Sequence, residues 1–358
     1  MIKIEINNET RKEMELLHWK WFFYRSKEKY NNKAIKEARS IKKILGLKHI
    51  KEIKSIVIGN YNQLEYFKNT IKQINNNDSN HEKIKDYFGY ENFQKGNYQS
   101  IIKWDAYKFT KKLQINVCPY CNRQYIFTIK KHNKDGKKFK RITAPEIDHF
   151  FPKSLYPYLS GSLYNFIPSC HSCNHGKREF GDNIIYPYDE EFDKDIPFRV
   201  KFDKDSGESD NLVNIKNAYV FFEKIKCRGL KSTTEECRIC KRTPKIKASI
   251  ETFHLKEIYN EHKIDLKDLF DRYRNYSKPK IDEITKLILN ETLDTNDLDL
   301  NKQQKEKLYQ KVASTYTKRI KRTILGLPLG AEGKEYPLRK FKEDIIEQLD
   351  ETARNMKK

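Results

Sequence analysis

The spacing of hydrophobic and polar residues predicts helices over most of the chain and strands in a few short stretches. Helical spacing covers about 9–30, 33–46, 61–74, 97–112, 253–276, 279–291, 301–324 and 339–356. Residues 1–6 alternate between apolar and polar positions, which predicts a short strand. Two β-hairpins are predicted, one following a strand over 124–129 and turning at Asp135–Gly136, the other covering 198–222. The pattern therefore predicts an α+β protein.

These elements divide the chain into four regions. We expect a helical N-terminal region (1–110), a central core (111–190), an insertion with a hairpin and cysteines (191–250) and a helical C-terminal region (251–358). The acidic, proline-punctuated stretch 182–196 marks the end of the core. His18 stands in an aromatic block of the first predicted helix, and we interpret it as a packed histidine rather than a ligand.

Positive charge is concentrated in the predicted core. The 358 residues carry a formal net charge of +22, and residues 111–180 alone hold 13 Lys/Arg against 4 Asp/Glu. Such a concentration favours a polyanionic partner, and we expect nucleic acid. The chain shows no apolar run of about 18 residues and no secretory signal at its start, so we expect no membrane partner and a cytoplasmic location.

Four of the seven cysteines form two Cys-x-x-Cys pairs, Cys118/Cys121 and Cys170/Cys173, separated by the 48 residues 122–169. In a reducing compartment such pairs indicate a metal site rather than disulfides. Four thiolates suit a tetrahedral structural zinc ion, which would draw the flanking segments together.

The other three cysteines, Cys227, Cys237 and Cys240, allow two interpretations. They are either ligands of a second metal site, completed by His254 or His262, or free thiols.

Polar residues suited to phosphodiester chemistry lie between the cysteine pairs and just after them. Asp148 and His149 end a predicted strand before Pro152, while Asn174 and Lys177 share one face of a predicted helix. A histidine can act as general base near neutral pH, and a carboxylate with an amide oxygen suits Mg²⁺ or Mn²⁺. Lys177 would supply positive charge for a neighbouring phosphate. Glu146 is either a supporting residue of this site or a plain surface residue.

The order Asp148-His149-x-x-Pro152, Asn165, then Cys170-x-x-Cys173-Asn174-x-x-Lys177 resembles the signature of HNH endonucleases with a Cys₄ zinc knuckle. The resemblance covers about 115–185 and implies a small ββα-metal core flanked by mostly helical regions. It implies that His149 is the general base, that Asp148 and Asn174 bind the catalytic Mg²⁺ or Mn²⁺, and that Asn165 orients the base and its loop. Hydrolysis would leave 5′-phosphate and 3′-hydroxyl ends.

A narrower resemblance concerns the phrases Asp-His-Phe-Phe-Pro-Lys-Ser and Asn-Phe-Ile-Pro-Ser-Cys. They are similar to HNH proteins of bacterial anti-phage systems, with the nuclease subunit of Septu-type defence as the nearest example. That resemblance implies an effector role in antiviral defence and an ATPase or other defence protein as partner.

Basic residues around the core are candidates for binding nucleic acid. They are Lys130, Lys131, Lys137, Lys138, Lys140, Arg141 and Arg178. Those between 130 and 141 either reach for a second stretch of phosphate backbone or form a solvated hairpin tip.

We expect DNA rather than RNA, since nothing in the chain resembles an RNA-specific module. Two rival hypotheses are a non-catalytic, zinc-stapled nucleic-acid-binding module and a subunit whose helices dock a partner.

Overall fold

The computed structural model describes residues 1–24, 32–71, 73–74, 77–96, 102–132, 139–177, 183–192, 196–202, 218–223, 238–276, 278–292, 301–329 and 336–356. The chain forms two compact units. Unit 1 consists of Met1–Phe192 and Cys227–Leu255, and unit 2 of Asp193–Lys226 and Lys256–Lys358. Both contain helices and small antiparallel strand pairs, so the predicted α+β class is confirmed.

Unit 1 contains the predicted N-terminal helices and the predicted core. Its helices are α1 (Asn8–Tyr24), α2 (Asn32–Ile44), α3 (Glu52–Ile58), α4 (Tyr61–Thr70), α5 (His81–Phe88), α6 (Tyr90–Lys95), α7 (Ala106–Leu113), α8 (His171–Lys177) and α9 (Arg238–Thr252). Its strands are β1 (Ile129–His132), β2 (Phe139–Thr143), β3 (Glu146–His149) and β4 (Phe166–Ser169). Two short 3₁₀ turns, Pro157–Leu159 and Leu163–Asn165, lie between β3 and β4.

Local capping signals fix several helix ends in unit 1. The Asn60 side chain accepts the Gln63 amide N–H at 3.1 Å, and the Gln63 side chain accepts the Asn60 N–H, so a capping box starts α4. Asp105 accepts the Lys108 N–H at 2.9 Å, and α7 therefore begins at 106. The helix predicted over 97–112 is thus shorter at its start within the described residues.

Strands β3 and β4 form an antiparallel ladder in which Glu146 faces Ser169 and His149 faces Phe166. Helix α8 follows β4 after Cys170 alone, so the predicted order of strand, strand and helix is present. Phe166 is fully buried, and its ring stacks on Phe93 with centroids 5.1 Å apart. Burying one such side chain contributes roughly 1.5–3 kcal/mol, which anchors the strand pair against the N-terminal helices.

Two predicted strands differ from the structure. Residues 1–6 form no strand, because the Ile2 and Ile4 N–H groups donate to the Pro119 and Pro187 carbonyls of two loops rather than to a neighbouring strand. The strand predicted over 124–129 is also wrong in its bounds. The Cys118 N–H donates to the Gln124 carbonyl, so residues around 125 pair within the cysteine loop and β1 begins later. The predicted turn at Asp135–Gly136 lies outside the described residues.

Unit 2 agrees closely with the sequence pattern. It contains β5 (Phe198–Phe202), β6 (Ala218–Phe222), α10 (Leu255–Asn260, whose first residue belongs to unit 1), α11 (Lys263–Asn275), α12 (Lys278–Thr292), α13 (Lys302–Ile324) and α14 (Arg339–Asn355). Strands β5 and β6 form the predicted second hairpin. The single helix predicted over 253–276 is two helices, because the chain leaves helical geometry at His262 before α11. None of the described helices combines the length and apolarity needed to span a bilayer.

Candidate functional site

The two Cys-x-x-Cys pairs meet in the interior of unit 1. The four thiol sulfurs of Cys118, Cys121, Cys170 and Cys173 are buried and lie within 4.8 Å of one another. A zinc ion with Zn–S bonds of about 2.3 Å places its ligands about 3.8 Å apart, and the Cys121 and Cys170 sulfurs lie 4.0 Å apart. The cluster therefore fits a structural metal such as zinc. Among the described residues no other group of His, Cys, Asp or Glu is arranged in this way.

Asp148, at the end of β3, is buried and bonds two donor side chains. The Tyr120 hydroxyl donates to its Oδ2 at 2.6 Å, and the Lys177 ammonium lies 3.0 Å from the same oxygen. Tyr120 sits inside the first Cys-x-x-Cys pair, so the cysteine cluster and the carboxylate are linked through one side chain. The sequence pattern did not indicate this role for Tyr120.

Lys177 does not occupy the position that the sequence pattern suggests. Its side chain is fully buried, and its ammonium donates to the carbonyls of His149 at 2.7 Å and Phe150 at 3.0 Å as well as to Asp148. All three ammonium protons thus have protein acceptors. This geometry favours a structural role for Lys177, and its role as a phosphate contact stays a prediction.

His149 is held in one orientation at the end of β3. Its Nε2 lies 2.9 Å from the Ser160 carbonyl, which can only accept, so Nε2 carries the proton. The ring packs edge-to-face against Tyr90 and Phe166. Burial lowers the pKa of His149 to about 3, helped by the nearby Lys153 charge. The imidazole is therefore neutral, and Nδ1 retains its lone pair.

Asn165 braces the loop that carries Ser160. Its side-chain amide donates to the carbonyls of Phe151 at 3.1 Å and Leu159 at 3.0 Å, and its Oδ1 accepts the Phe151 N–H at 2.7 Å. Asn165 is completely buried and so cannot touch a substrate. Asn165 thus ties the segment just after His149 to the segment just before Ser160.

A second histidine, His18, bonds the same loop. His18 of α1 donates from Nε2 to the Gly161 carbonyl at 2.9 Å and accepts from Trp104 Nε1 at 3.1 Å. Both ring nitrogens are satisfied and the side chain is buried, so the prediction of a packed histidine is confirmed. Burial lowers the pKa of His18 to about 4. Gly161 itself lies so close to Phe88 that an added Cβ would be 2.2 Å from that residue's carbonyl oxygen.

Asn174 and Glu146 form a pair on the cleft side of α8. The Asn174 amide donates from Nδ2 to Glu146 Oε2 at 2.7 Å, while His171 Nδ1 bonds Glu146 Oε1 at 2.7 Å. Burial opposes ionisation of Glu146, yet the bonds from Asn174 and His171 outweigh it and lower its pKa. Glu146 therefore lines the cleft and bonds Asn174, which favours the supporting role over that of a plain surface residue. His175 is exposed and stacks on His171.

These residues open onto a cleft of about 830 Å³. Its lining includes Glu146, Asp148, His149 and Asn174 together with Tyr90, Tyr107 and Arg141. Lys153 also lines it, with its ammonium 5.0 Å from the centre of the Tyr90 ring. Nothing in the sequence pattern marks Lys153 as a cleft residue, although it lies within the Asp-His-Phe-Phe-Pro-Lys-Ser phrase.

The predicted nucleic-acid-binding residues are only partly described. Lys130 and Lys131 of β1 are exposed. Arg141 instead pairs with Asp105 at 2.8 Å and covers the Tyr107 ring, which anchors β2 to α7. The positions Lys137, Lys138 and Arg178 lie outside the described residues, as does the side chain of Lys140.

The second cysteine group is likewise not described: Cys227, Cys237 and the Cys240 side chain all lie outside the described part of the chain. His262, one proposed completing ligand, bonds Asp265 at 2.8 Å.

Comparison of the chain with protein-family models, with curated proteins and with solved structures gives no match. What the site can do is therefore inferred from its own geometry.

Proposed function

We propose that this protein is a metal-dependent endonuclease of the HNH type, which hydrolyses phosphodiester bonds of nucleic acid, DNA in preference to RNA. The observation that carries the proposal is the placement of His149. Its Nε2 is committed to the Ser160 carbonyl, and it lines a cleft together with Asp148 and Asn174. A neutral imidazole held this way offers Nδ1 as a proton acceptor for water.

The contacts around His149 hold its ring in one orientation, which a general base needs. A general base works when it lies within hydrogen-bond reach of the proton that it removes. Ser160 fixes the ring plane of His149, and Asn165 fixes the two segments that carry the ring and the Ser160 carbonyl. Asn165 is thus a positioning residue rather than a catalytic one.

The oxygen atoms beside His149 fit a hard divalent cation. Asp148 and Asn174 both line the cleft, and Mg²⁺ and Mn²⁺ prefer carboxylate and amide oxygens. Because Asn174 directs its Nδ2 to Glu146, its Oδ1 remains available for a cation. Asp148 keeps acceptor capacity beyond its bonds to Tyr120 and Lys177, since a carboxylate has about four lone-pair positions. A cation bound here would stabilise negative charge on the phosphoryl group and the leaving oxygen.

Positive charge for the substrate is available from residues other than the buried Lys177. Lys153 lines the cleft, and burial together with the Lys85 charge lowers its pKa. A phosphate beside Lys153 would relieve that repulsion. We therefore assign the phosphate contact in the cleft to Lys153.

One observation favours a second candidate, the non-catalytic binding module. The Asp148 carboxylate already accepts from Tyr120 and Lys177, which would suffice for a purely structural role. The two candidates differ in whether the protein turns over substrate.

Cleavage of plasmid DNA in Mg²⁺ or Mn²⁺, with and without EDTA, separates them. His149→Ala should lower the rate by roughly 100-fold or more, while its matched control His49→Ala, at an exposed position in unit 1, should cut at the wild-type rate. The loss in Asn174→Ala should be partly recovered by more metal, since added cation refills a weakened site but cannot accept a proton.

Wild-type cleavage by His149→Ala would remove His149 as the base. If the wild-type protein cleaves neither plasmid nor single-stranded DNA in either metal, the binding module is the function that remains.

We extend the proposal to an effector role in anti-phage defence, with an ATPase or other defence protein as partner. The support for this part is the sequence resemblance alone. It would be contradicted if cells producing the His149→Ala variant resisted phage as well as cells producing the wild-type protein.

A further inference from the structure

Four large apolar side chains are exposed together near the start of the first hairpin. Tyr125, Phe127, Ile129 and Ile142 have exposed fractions of 52%, 41%, 46% and 53%. We call these four residues the aromatic strip. Exposed apolar residues scattered singly are ordinary on a protein surface, whereas a contiguous group marks a binding surface.

Tyr125, Phe127 and Ile129 share the exposed side of the segment that leads into β1. They alternate with Ile126, which is buried, and with Thr128, whose hydroxyl donates to Thr110. This alternation of exposed and inward-facing residues puts the three exposed side chains on one side of the chain. The rings of Tyr125 and Phe127 are stacked, with centroids 4.7 Å apart and an interplanar angle of 19°. They thus form a flat, exposed aromatic surface.

The aromatic strip begins beside the cysteine cluster, at Tyr125, and ends at the cleft, at Ile142. Tyr125 bridges Val117, one residue before the metal-binding Cys118. Ile142 is the extra residue in the irregular pairing of β1 with β2, in which Ile129 faces Thr143 and Lys130 faces Arg141. Ile142 also lines the cleft that contains His149. A ligand lying along the strip is therefore led into the cleft.

The positive charge around the aromatic strip indicates which kind of ligand the strip binds. Residues 122–145 hold eight Lys/Arg and a single acidic residue, Asp135. Lys130 and Lys131 are exposed on β1 itself. Flat aromatic rings beside a basic strand are the combination that binds unpaired bases and their phosphate backbone, whereas paired bases hide their faces inside the duplex.

We propose that the aromatic strip is a stacking platform for unpaired bases, so that this protein takes single-stranded polynucleotide, or a single-stranded section of a duplex, into its cleft. The delivery to a cleavage site rests on the proposed nuclease function, whereas the binding itself does not. Tyr125 and Phe127 stack on bases, and the lysines of β1 contact the backbone.

The test measures binding by fluorescence anisotropy, with the full-length chain carrying His149→Ala so that strands stay intact. The probes are a polythymidine DNA strand, a polyuridine RNA strand and a DNA duplex. Adding Tyr125→Ala and Phe127→Ala should weaken single-strand binding by about 10-fold or more. Each substitution removes a ring on which a base stacks, and the loss of one such stack by itself lowers affinity by about 10-fold. The slope of affinity against salt should stay unchanged, because the lysines that neutralise phosphates are still present.

The matched control is Tyr66→Ala, which removes an equally exposed aromatic ring (56% exposed) of unit 1 from α4. It should leave all three affinities unchanged, and Tyr125→Phe should retain binding. A loss on either single strand that spares the duplex supports the platform, and the strand with the higher wild-type affinity identifies the nucleic acid.

Equal losses on duplex and single strands, or no loss at all, would overturn the platform. So would self-association in sedimentation that the double substitution abolishes, because the strip would then dock protein. Failure of the nuclease proposal has a different signature: the wild-type chain would bind single strands through the strip and cleave nothing.

Discussion

Replacement of Lys177 by Met tests whether that side chain is a structural ion-pair partner or a phosphate ligand. The substitution keeps the apolar stem but removes an ammonium that serves Asp148 and two carbonyls in the protein interior. Asp148 is only 4% exposed and would lose the cationic partner that lies 3.0 Å away. Removing one partner of a buried ion pair costs about 3–5 kcal/mol. That is a large share of the roughly 5–15 kcal/mol that stabilises a typical domain.

Urea unfolding followed by tryptophan fluorescence measures this effect. All three tryptophans, Trp19, Trp21 and Trp104, belong to unit 1, so the signal reports on the unit that contains Lys177. Lys111→Met changes an exposed lysine of the same unit and should shift stability by no more than about 0.5 kcal/mol.

The double variant Lys177→Met/Asp148→Asn makes the assignment specific. Replacing the carboxylate by an amide removes the unpaired charge, so the double variant should be more stable than Lys177→Met by itself. The two effects should deviate from additivity by at least about 1 kcal/mol. If Lys177→Met unfolds at the same urea concentration as Lys111→Met, the buried ion pair does not stabilise unit 1 and the reasoning fails.

Three further predictions concern the metal, the basic strand and the packed histidine. Cys118→Ser should lower the zinc content and destabilise unit 1, because metal binding is linked to folding; elemental analysis that finds no zinc in the folded wild-type protein would contradict this. Lys130→Ala with Lys131→Ala should reduce the slope of log affinity against log salt by about 0.9 for each phosphate that is no longer neutralised, and an unchanged slope would assign these lysines to solvent. His18 has a folded pKa of about 4 against an ordinary 6.5, so its stabilising effect is complete above pH 6.5 and lost as pH falls towards 4. The loss should reach about 3 kcal/mol, and His18→Gln should show a correspondingly smaller dependence of unfolding free energy on pH over that range.

The sequence predicts the elements of unit 2 well because each has a strong local signal. The Asn301–Gln304 capping box starts α13, where the pattern predicts a helix from about 301. The hairpin predicted over 198–222 likewise contains β5 and β6. The short helices α5 and α6 escape prediction, since Gly89 divides them at a left-handed residue and each is too brief for a clear period.

In the candidate site, residue identity is predictable from sequence but the direction of each side chain is not. The cysteine spacing predicts the cluster because metal ligation needs only four sulfurs brought together. Lys177 and Lys153 are both basic residues near the motif, and nothing in the chain distinguishes the buried one from the one in the cleft. That distinction depends on the carbonyls of His149 and Phe150, which tertiary contacts place.

The loop between the two 3₁₀ turns affects whether residues 111–190 can keep their structure outside this chain. Neighbouring carbonyls of this loop, from Ser160 and Gly161, accept hydrogen bonds from two histidines that stand about 130 positions apart in the chain, His149 and His18. A fragment of residues 111–190 would keep every residue of the signature. It would lack α1, whose His18 bonds the loop. Transplanting residues 111–190 into another protein should therefore fail to hold this loop unless α1 is transferred with them.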